Sequence, residues 1–175
     1  MYKVLDNFLA PEVLSLIKDV MYNENFAWYA HDYVASKAHD SADDSFYFTH
    51  NFYLDEKVNS NHFDTMIVPI CFMLLGEEVP LLRAKANLFT KRDKQIKYGL
   101  HTDYSYEKHT TLVYSLNTNN GYTEFEDGTT IPSIENQLLI FDGNIPHRSV
   151  GQTDEKFRIN FNINLKTDPA DLCKN

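Results

Sequence analysis

The stretch KFRINFNINL, residues 156–165, constrains the fold more than any other part of the chain. Apolar and polar residues alternate in it without a break, which is the period of a β-strand with two unlike faces. Ile159, Phe161, Ile163 and Leu165 point one way and belong in an apolar core. Arg158, Asn160, Asn162 and Asn164 point the other way. A solvated strand face usually mixes Lys, Glu and Thr, and Asn is depleted in strands. One Arg and three Asn in a row fit a polar pocket inside a closed β structure better than a wet surface.

The rest of the second half has the same texture. In VPLLRAKANLFT (79–90), Arg83, Lys85, Asn87 and Phe89 share one face. TTLVYSLN (110–117) is rich in strand formers, and NNG (119–121) reads as a turn. YTEFEDGTTI carries Asp127-Gly128, a hairpin signal. NQLLIFDG is an apolar run closed by Gly143, and HRSVGQT is a short strand and turn. Several short strands between turns predict a sandwich or barrel.

The first third reads as mainly helical. Pro11, followed by Val13, Leu14, Ile17 and Val20 at helical spacing, predicts a helix near 11–22. HFDTMIVPICFMLLGEE predicts a second helix, with Pro69 kinking it or lying in its first turns. FYFTHNFYL (46–54) is aromatic enough for a strand. The expected class is mainly β with N-terminal helices. One domain is expected over 1–175, with helical support over about 1–78 and a β core over about 79–166.

Bulk properties narrow the function. The net charge of −9 opposes broad tracking along nucleic acid, which needs clustered Lys and Arg; KRDKQIK (91–97) reads as a solvated loop. No apolar run is long enough to span a membrane, and no basic-then-apolar leader opens the sequence. Cys71 and Cys173 are expected as free thiols in a reducing, cytoplasmic compartment.

Chemistry enters with YGLHTDYS (98–105). In extended chain His101 and Asp103 fall on the same side and can grip one metal ion, which they could not do from a helix. His-x-Asp is short enough to arise by chance, and it occurs a second time as His62-Phe63-Asp64. That copy opens a predicted helix, where Asp64 serves as a cap or first-turn acid. The first copy has company. His147 follows the apolar run LLIFDG, and Arg158 follows His147 in the last strong strand. Two imidazoles and one carboxylate make a facial triad that leaves positions open on an Fe(II). An Arg fork matches a carboxylate. His31, His39, His50 and His109 have no matched partner in the sequence and are read as structural or exposed.

The ordered set His101-x-Asp103, His147, Arg158 resembles the Fe(II)- and 2-oxoglutarate-dependent oxygenases. The resemblance is to their small prolyl-4-hydroxylase-like branch, phage-borne members included. VLDNFLAPE near the start is similar to the opening of that branch, so the likeness runs to about Leu165. It implies a double-stranded β-helix, or jelly roll, with helices packed on its larger sheet. It implies iron held by His101, Asp103 and His147, with Arg158 on the distal carboxylate of 2-oxoglutarate. O2 would be the oxidant and ascorbate a reductant. ANLF and RIN resemble the Asn-x-Tyr and Arg-x-Asn pairs of AlkB-like members, which places Asn87 and Asn160 at the co-substrate. Phe89 stands where those members have Tyr, so Tyr98 or Tyr114 would supply the missing hydroxyl. Members that halogenate replace the carboxylate, so Asp103 implies hydroxylation or demethylation.

The resemblance orders the substrates as a peptidyl proline, then a free amino acid or other small molecule, then a nucleobase. The charge opposes nucleic acid as a partner. If the chain is phage-encoded, the compartment is the host cytoplasm. Loop 91–100 and region 28–45 are the expected flaps. Two alternatives stay open: an AlkB-like demethylase of nucleobases, and a jelly-roll module that binds without catalysis. A cupin-type site is disfavoured because His-x-His is absent.

Overall fold

The computed structural model describes residues 1–35, 46–76, 80–104 and 108–173. In chain order the elements are β1 (Tyr2–Leu5), α1 (Pro11–Met21), β2 (Tyr29–His31), β3 (Tyr47–Leu54), β4 (Lys57–Val58), α2 (Phe63–Met66) and α3 (Val68–Leu75). Then come β5 (Leu81–Thr90), β6 (Thr110–Ser115), β7 (Asn119–Phe125), β8 (Thr130–Ser133), β9 (Gln137–Asp142), β10 (His147–Val150), β11 (Phe157–Leu165) and α4 (Pro169–Cys173).

Two antiparallel sheets result. The major sheet runs β1-β9-β6-β11-β5-β3-β2, with β4 on β3, and the minor sheet runs β10-β7-β8. β11 lies centrally between β5 and β6. Its apolar side joins Ala84, Ala86, Leu88, Leu112, Tyr114, Leu138 and Ile140 in one core with Ile17 and Met21 of α1 and Ile70 and Cys71 of α3. The helices therefore cover the outer face of the major sheet. Each large side chain buried there contributes about 1.5–3 kcal/mol relative to exposure. The inner face meets the minor sheet, where Val113, Leu139 and Phe141 pack on Phe125 and Ile131. This is a jelly roll, the fold class expected from the sequence.

Local departures have identifiable causes. The second helix is two, α2 and α3, because Pro69 has no N–H to continue the ladder and instead sits in the first positions of α3. Asp64 falls in the first turn of α2. The first third is less helical than expected: β1 and β4 are short strands on or near the sheet edge, too brief to show a period. The Asp127-Gly128 hairpin joins β7 to β8, with Gly128 at φ 86°. NNG is not a turn: Asn119, Asn120 and Gly121 open β7, and the register of β7 on β8 shifts between Asn119 and Tyr122.

Both cysteines are free thiols. Among the described residues no helix is long and apolar enough to cross a membrane. Of the expected flaps, 36–45 lies outside the described residues, as does His39.

Candidate metal centre

Strand pairing builds the two-histidine half of the site. The segment before the His-x-Asp tripeptide lies alongside β10, with bridges Lys97 to Val150 and His101 to His147. The His101 N–H donates to the His147 carbonyl at 2.9 Å, and the His147 N–H returns the bond at 3.0 Å. Residues paired this way send their side chains to the same face, and the ring centroids are 4.9 Å apart. Each ring is then oriented from behind. His101 Nδ1 lies 3.0 Å from the Gly99 carbonyl, and His147 Nδ1 lies 3.0 Å from the Ile145 carbonyl. A carbonyl only accepts, so both rings carry their proton on Nδ1 and leave the Nε2 lone pair free for a metal.

Asp103 completes the cluster. Its carboxylate oxygens lie 3.9 Å from His101 Nε2 and 3.7 Å from His147 Nε2. One ligand atom from each residue falls within 4.8 Å of the others, close enough to share one ion. Burial alone would raise the Asp103 carboxyl. Arg83, then His147, His101 and Lys85, hold it well below the usual carboxylate range. Burial pulls His147 down, an effect Asp103 partly offsets, which favours the neutral ligand form.

The carboxylate is anchored with unusual thoroughness. Arg83 Nη2 donates to Oδ1 at 2.8 Å. Asn162 and Asn164 each donate to Oδ2 at 3.0 Å, and Thr111 at 3.3 Å. A carboxylate offers about four acceptor positions. Oδ2 is thus saturated, while Oδ1 keeps a lone pair. The Asn side of β11 is a polar inner face, as its composition indicated.

The pocket runs from this cluster along the inner face. Asn87, Phe89, Thr123, Ser149, Asn160 and Asn162 are among its walls. Arg158 lies beyond them in β11, four residues from Asn162, or about 13 Å along a strand. It is 1 % exposed. Its Nε donates to Ser133 Oγ at 2.8 Å, its guanidinium lies 5.3 Å from the Phe89 ring centre, and its Nη1 is buried without a partner. Burial lowers it to about 10. A buried guanidinium nitrogen with nothing to donate to fits an incoming carboxylate. Gly121 makes the room: a Cβ there would stand 2.8 Å from Arg158 Cδ and 2.9 Å from the Val150 carbonyl.

The expected co-substrate residues separate into two groups. Asn87 Nδ2 donates to Asn160 Oδ1 at 2.9 Å, both residues line the pocket, and Asn87 Oδ1 is left without a partner. Tyr98 is buried against Phe89, with ring centres 5.5 Å apart, and influences Arg158 electrostatically. Tyr114 is elsewhere. It lies on the outer face of β6, stacks on Phe161, and gives its hydroxyl to Asn136 Oδ1 at 2.9 Å. It has no part in the pocket, because it shares its strand face with Leu112.

Arg83, Lys85, Thr111, Asn162, Asn164 and Tyr47 received no role from the sequence, yet all lie at the site. The signal was present in the polar alternation of 83–89 and 158–164. Of the remaining histidines, His50 has both ring nitrogens bonded, to Ala27 O and Ser60 Oγ, each at 2.8 Å. His31 Nε2 bonds Thr49 Oγ1 at 2.8 Å.

The sequence matches no protein-family model, and no curated protein matches it. Solved structures do match. A 2OG-Fe(II) oxygenase family oxidoreductase from Burkholderia pseudomallei superposes with a TM-score of 0.67 at 13% identity, over 95% of this chain and 86% of that one. A Pseudomonas putida prolyl-4-hydroxylase gives 0.61 at 11% identity, over 94% and 90%. The viral collagen prolyl hydroxylase of Paramecium Bursaria Chlorella virus-1, in complex with 2OG, gives 0.59 at 12% identity, over 95% and 96%. The jelly roll that carries His101, Asp103 and His147 is therefore the fold of the 2-oxoglutarate- and iron(II)-dependent oxygenases, viral and bacterial prolyl hydroxylases among them.

Proposed function

We propose that this chain is an Fe(II)- and 2-oxoglutarate-dependent dioxygenase of the hydroxylase type, acting on a prolyl peptide or a related substrate. One observation carries the reading. Two Nε2 lone pairs and a buried carboxylate converge at one point of a pocket, and a buried, incompletely satisfied Arg158 lies further along the same inner face.

His101, His147 and Asp103 would hold the iron. Arg158 takes the distal carboxylate of 2-oxoglutarate, and Asn87, Asn160 and Tyr98 line its path. Iron with bound 2-oxoglutarate supplies O2 activation, coupling decarboxylation to succinate and CO2 with oxygen insertion into a C–H bond. The protein's own work is orientation. The carbonyls of Gly99 and Ile145 fix both imidazoles, Arg83 and the Asn pair fix the carboxylate, and the two sheets exclude water. Asp103 would be one of the iron's protein ligands, in the place that halogenating members leave to a halide, and hydroxylation is the matching outcome. The prolyl substrate rests on the branch resemblance and on two of the similar structures being prolyl hydroxylases.

The test is anaerobic. Fe(II) followed by 2-oxoglutarate should give the visible metal-to-ligand charge-transfer band, and His147→Ala should lose it. If a folded, iron-binding protein gives no band, the co-substrate assignment fails.

A further inference from the structure

Lys85 is the pocket group that the oxygenase chemistry leaves unused. It projects from β5 into the site and lines the pocket beside Val34, Tyr47 and Asn87. Its strand partner on β11 is Asn162, which bonds the Asp103 carboxylate. Lys85 is therefore level with the metal ligands, whereas Arg158 pairs with Phe89 four residues further along. Among the described residues its ammonium meets Tyr47 alone: the hydroxyl at 3.4 Å, a marginal hydrogen bond, and the ring centre at 5.5 Å. Among the described residues no carboxylate pairs with it. Asp103, the carboxylate whose charge reaches it, is held by Arg83.

The charge count isolates this group further. Among the described residues the inner face carries three cations, Arg83, Lys85 and Arg158, against one carboxylate, Asp103. A divalent ion and a dicarboxylate cancel one another. The site therefore keeps a surplus of positive charge, and while Asp103 engages Arg83 and the distal carboxylate would engage Arg158, Lys85 is the cation with no carboxylate beside it among the described residues. An ammonium drawn partly out of water with no counter-charge is costly. Burial accordingly drags Lys85 down to about 7, helped by Arg83 and opposed by Asp103. An anion placed beside it would restore the charged form.

We propose that Lys85, with the Tyr47 hydroxyl beside it, is the substrate-recognition site for a carboxylate, and that the substrate is a small free carboxylic acid oxidised next to that group. The Lys-Tyr pair presents two donors side by side, which suits the two oxygens of one carboxylate. A blocked, neutral prolyl peptide leaves Lys85 unmatched. The proposal rests on the oxygenase reading and, within it, favours a related small acid over the prolyl peptide.

The experiment uses the full chain, anaerobically loaded with Fe(II) and 2-oxoglutarate. The probes are the twenty L-amino acids, proline first, and straight-chain mono- and dicarboxylic acids of two to six carbons. Each is set against its carboxamide, and a blocked prolyl peptide is added. Binding is read from the shift of the visible band, and turnover from succinate release after O2 is admitted. At least one free acid should bind, with its amide at least 30-fold weaker. Lys85→Gln should erase that difference while the band with 2-oxoglutarate alone still forms at the same co-substrate concentration. Tyr47→Phe should weaken the acid less, and it serves as the second variant.

Three results overturn the proposal: no acid binds, acid and amide bind alike, or Lys85→Gln instead raises the 2-oxoglutarate requirement. The last would make Lys85 a co-substrate residue. A wild-type chain that gives no band with 2-oxoglutarate removes the oxygenase reading itself, and the proposal with it.

Discussion

The two faces of β11 are built from alternate residues of one strand and have opposite jobs. Ile159, Phe161, Ile163 and Leu165 pack their side chains into the apolar core shared with the helices. Arg158, Asn160, Asn162 and Asn164 are as deeply buried, yet three of the four spend hydrogen bonds on Asp103, Asn87 or Thr111. Burial is thus a poor guide to role here. The apolar face gains from leaving water, whereas the polar face bears a desolvation cost that only matched partners offset. A one-residue slip of the strand would exchange the two faces, so the same alternation that stabilises the fold also fixes the site.

The comparison is broken most severely at Asp103. Asp103→Ala should abolish turnover and also cost stability, about 3–5 kcal/mol, because Arg83 loses its buried partner. Succinate release and urea unfolding report the two losses. The stability part carries a pH signature. The folded-state carboxyl lies below its ordinary value, so its contribution is complete above about pH 4 and fades as pH falls towards the folded value. Wild type and variant should converge in stability at low pH.

Phe161→Ala attacks the other face. A stability loss of about 3–5 kcal/mol is expected, with iron and 2-oxoglutarate still bound by whatever fraction remains folded. Equal loss of the visible band per folded molecule would show that the faces are not separable. Gly121→Ala is the smallest change. Its methyl would press on Arg158 Cδ, and the expected result is a stability cost of about 1–3 kcal/mol with a raised 2-oxoglutarate requirement. A co-substrate titration on the variant checks it.

Sequence alone was sufficient wherever the deciding pattern was local. The two-residue period of 158–165 separates core from pocket without knowledge of any neighbour. The spacing of His101 and Asp103, with His147 after an apolar run, picks out three residues that the structure brings within 4.8 Å. What escaped depended on register. Arg83 and Lys85 acquire their places only because β5 pairs with β11 so that they face Asn164 and Asn162. Gly121 looked like a turn glycine, but its missing side chain answers to Arg158, 37 residues away in sequence. Tyr114 could have been excluded from the pocket by the alternation of its own strand, since Val113, and not Tyr114, faces inward with the site.

The bridge between His101 and His147 has a thermodynamic consequence. Residues 97–101 are joined to β10 by two bridges and by the Tyr98 N–H bond to the Ser149 carbonyl, and the second bridge carries both imidazoles. An ion gripped by His101, Asp103 and His147 would act as a clasp between two stretches of chain more than forty residues apart. Ligation energy then becomes folding energy for that corner. At one hundred times its dissociation constant, such an ion adds about 2.7 kcal/mol to the native state. The amide protons of His101 and His147, each donated to the other's carbonyl, would carry the record of it as slowed exchange with solvent.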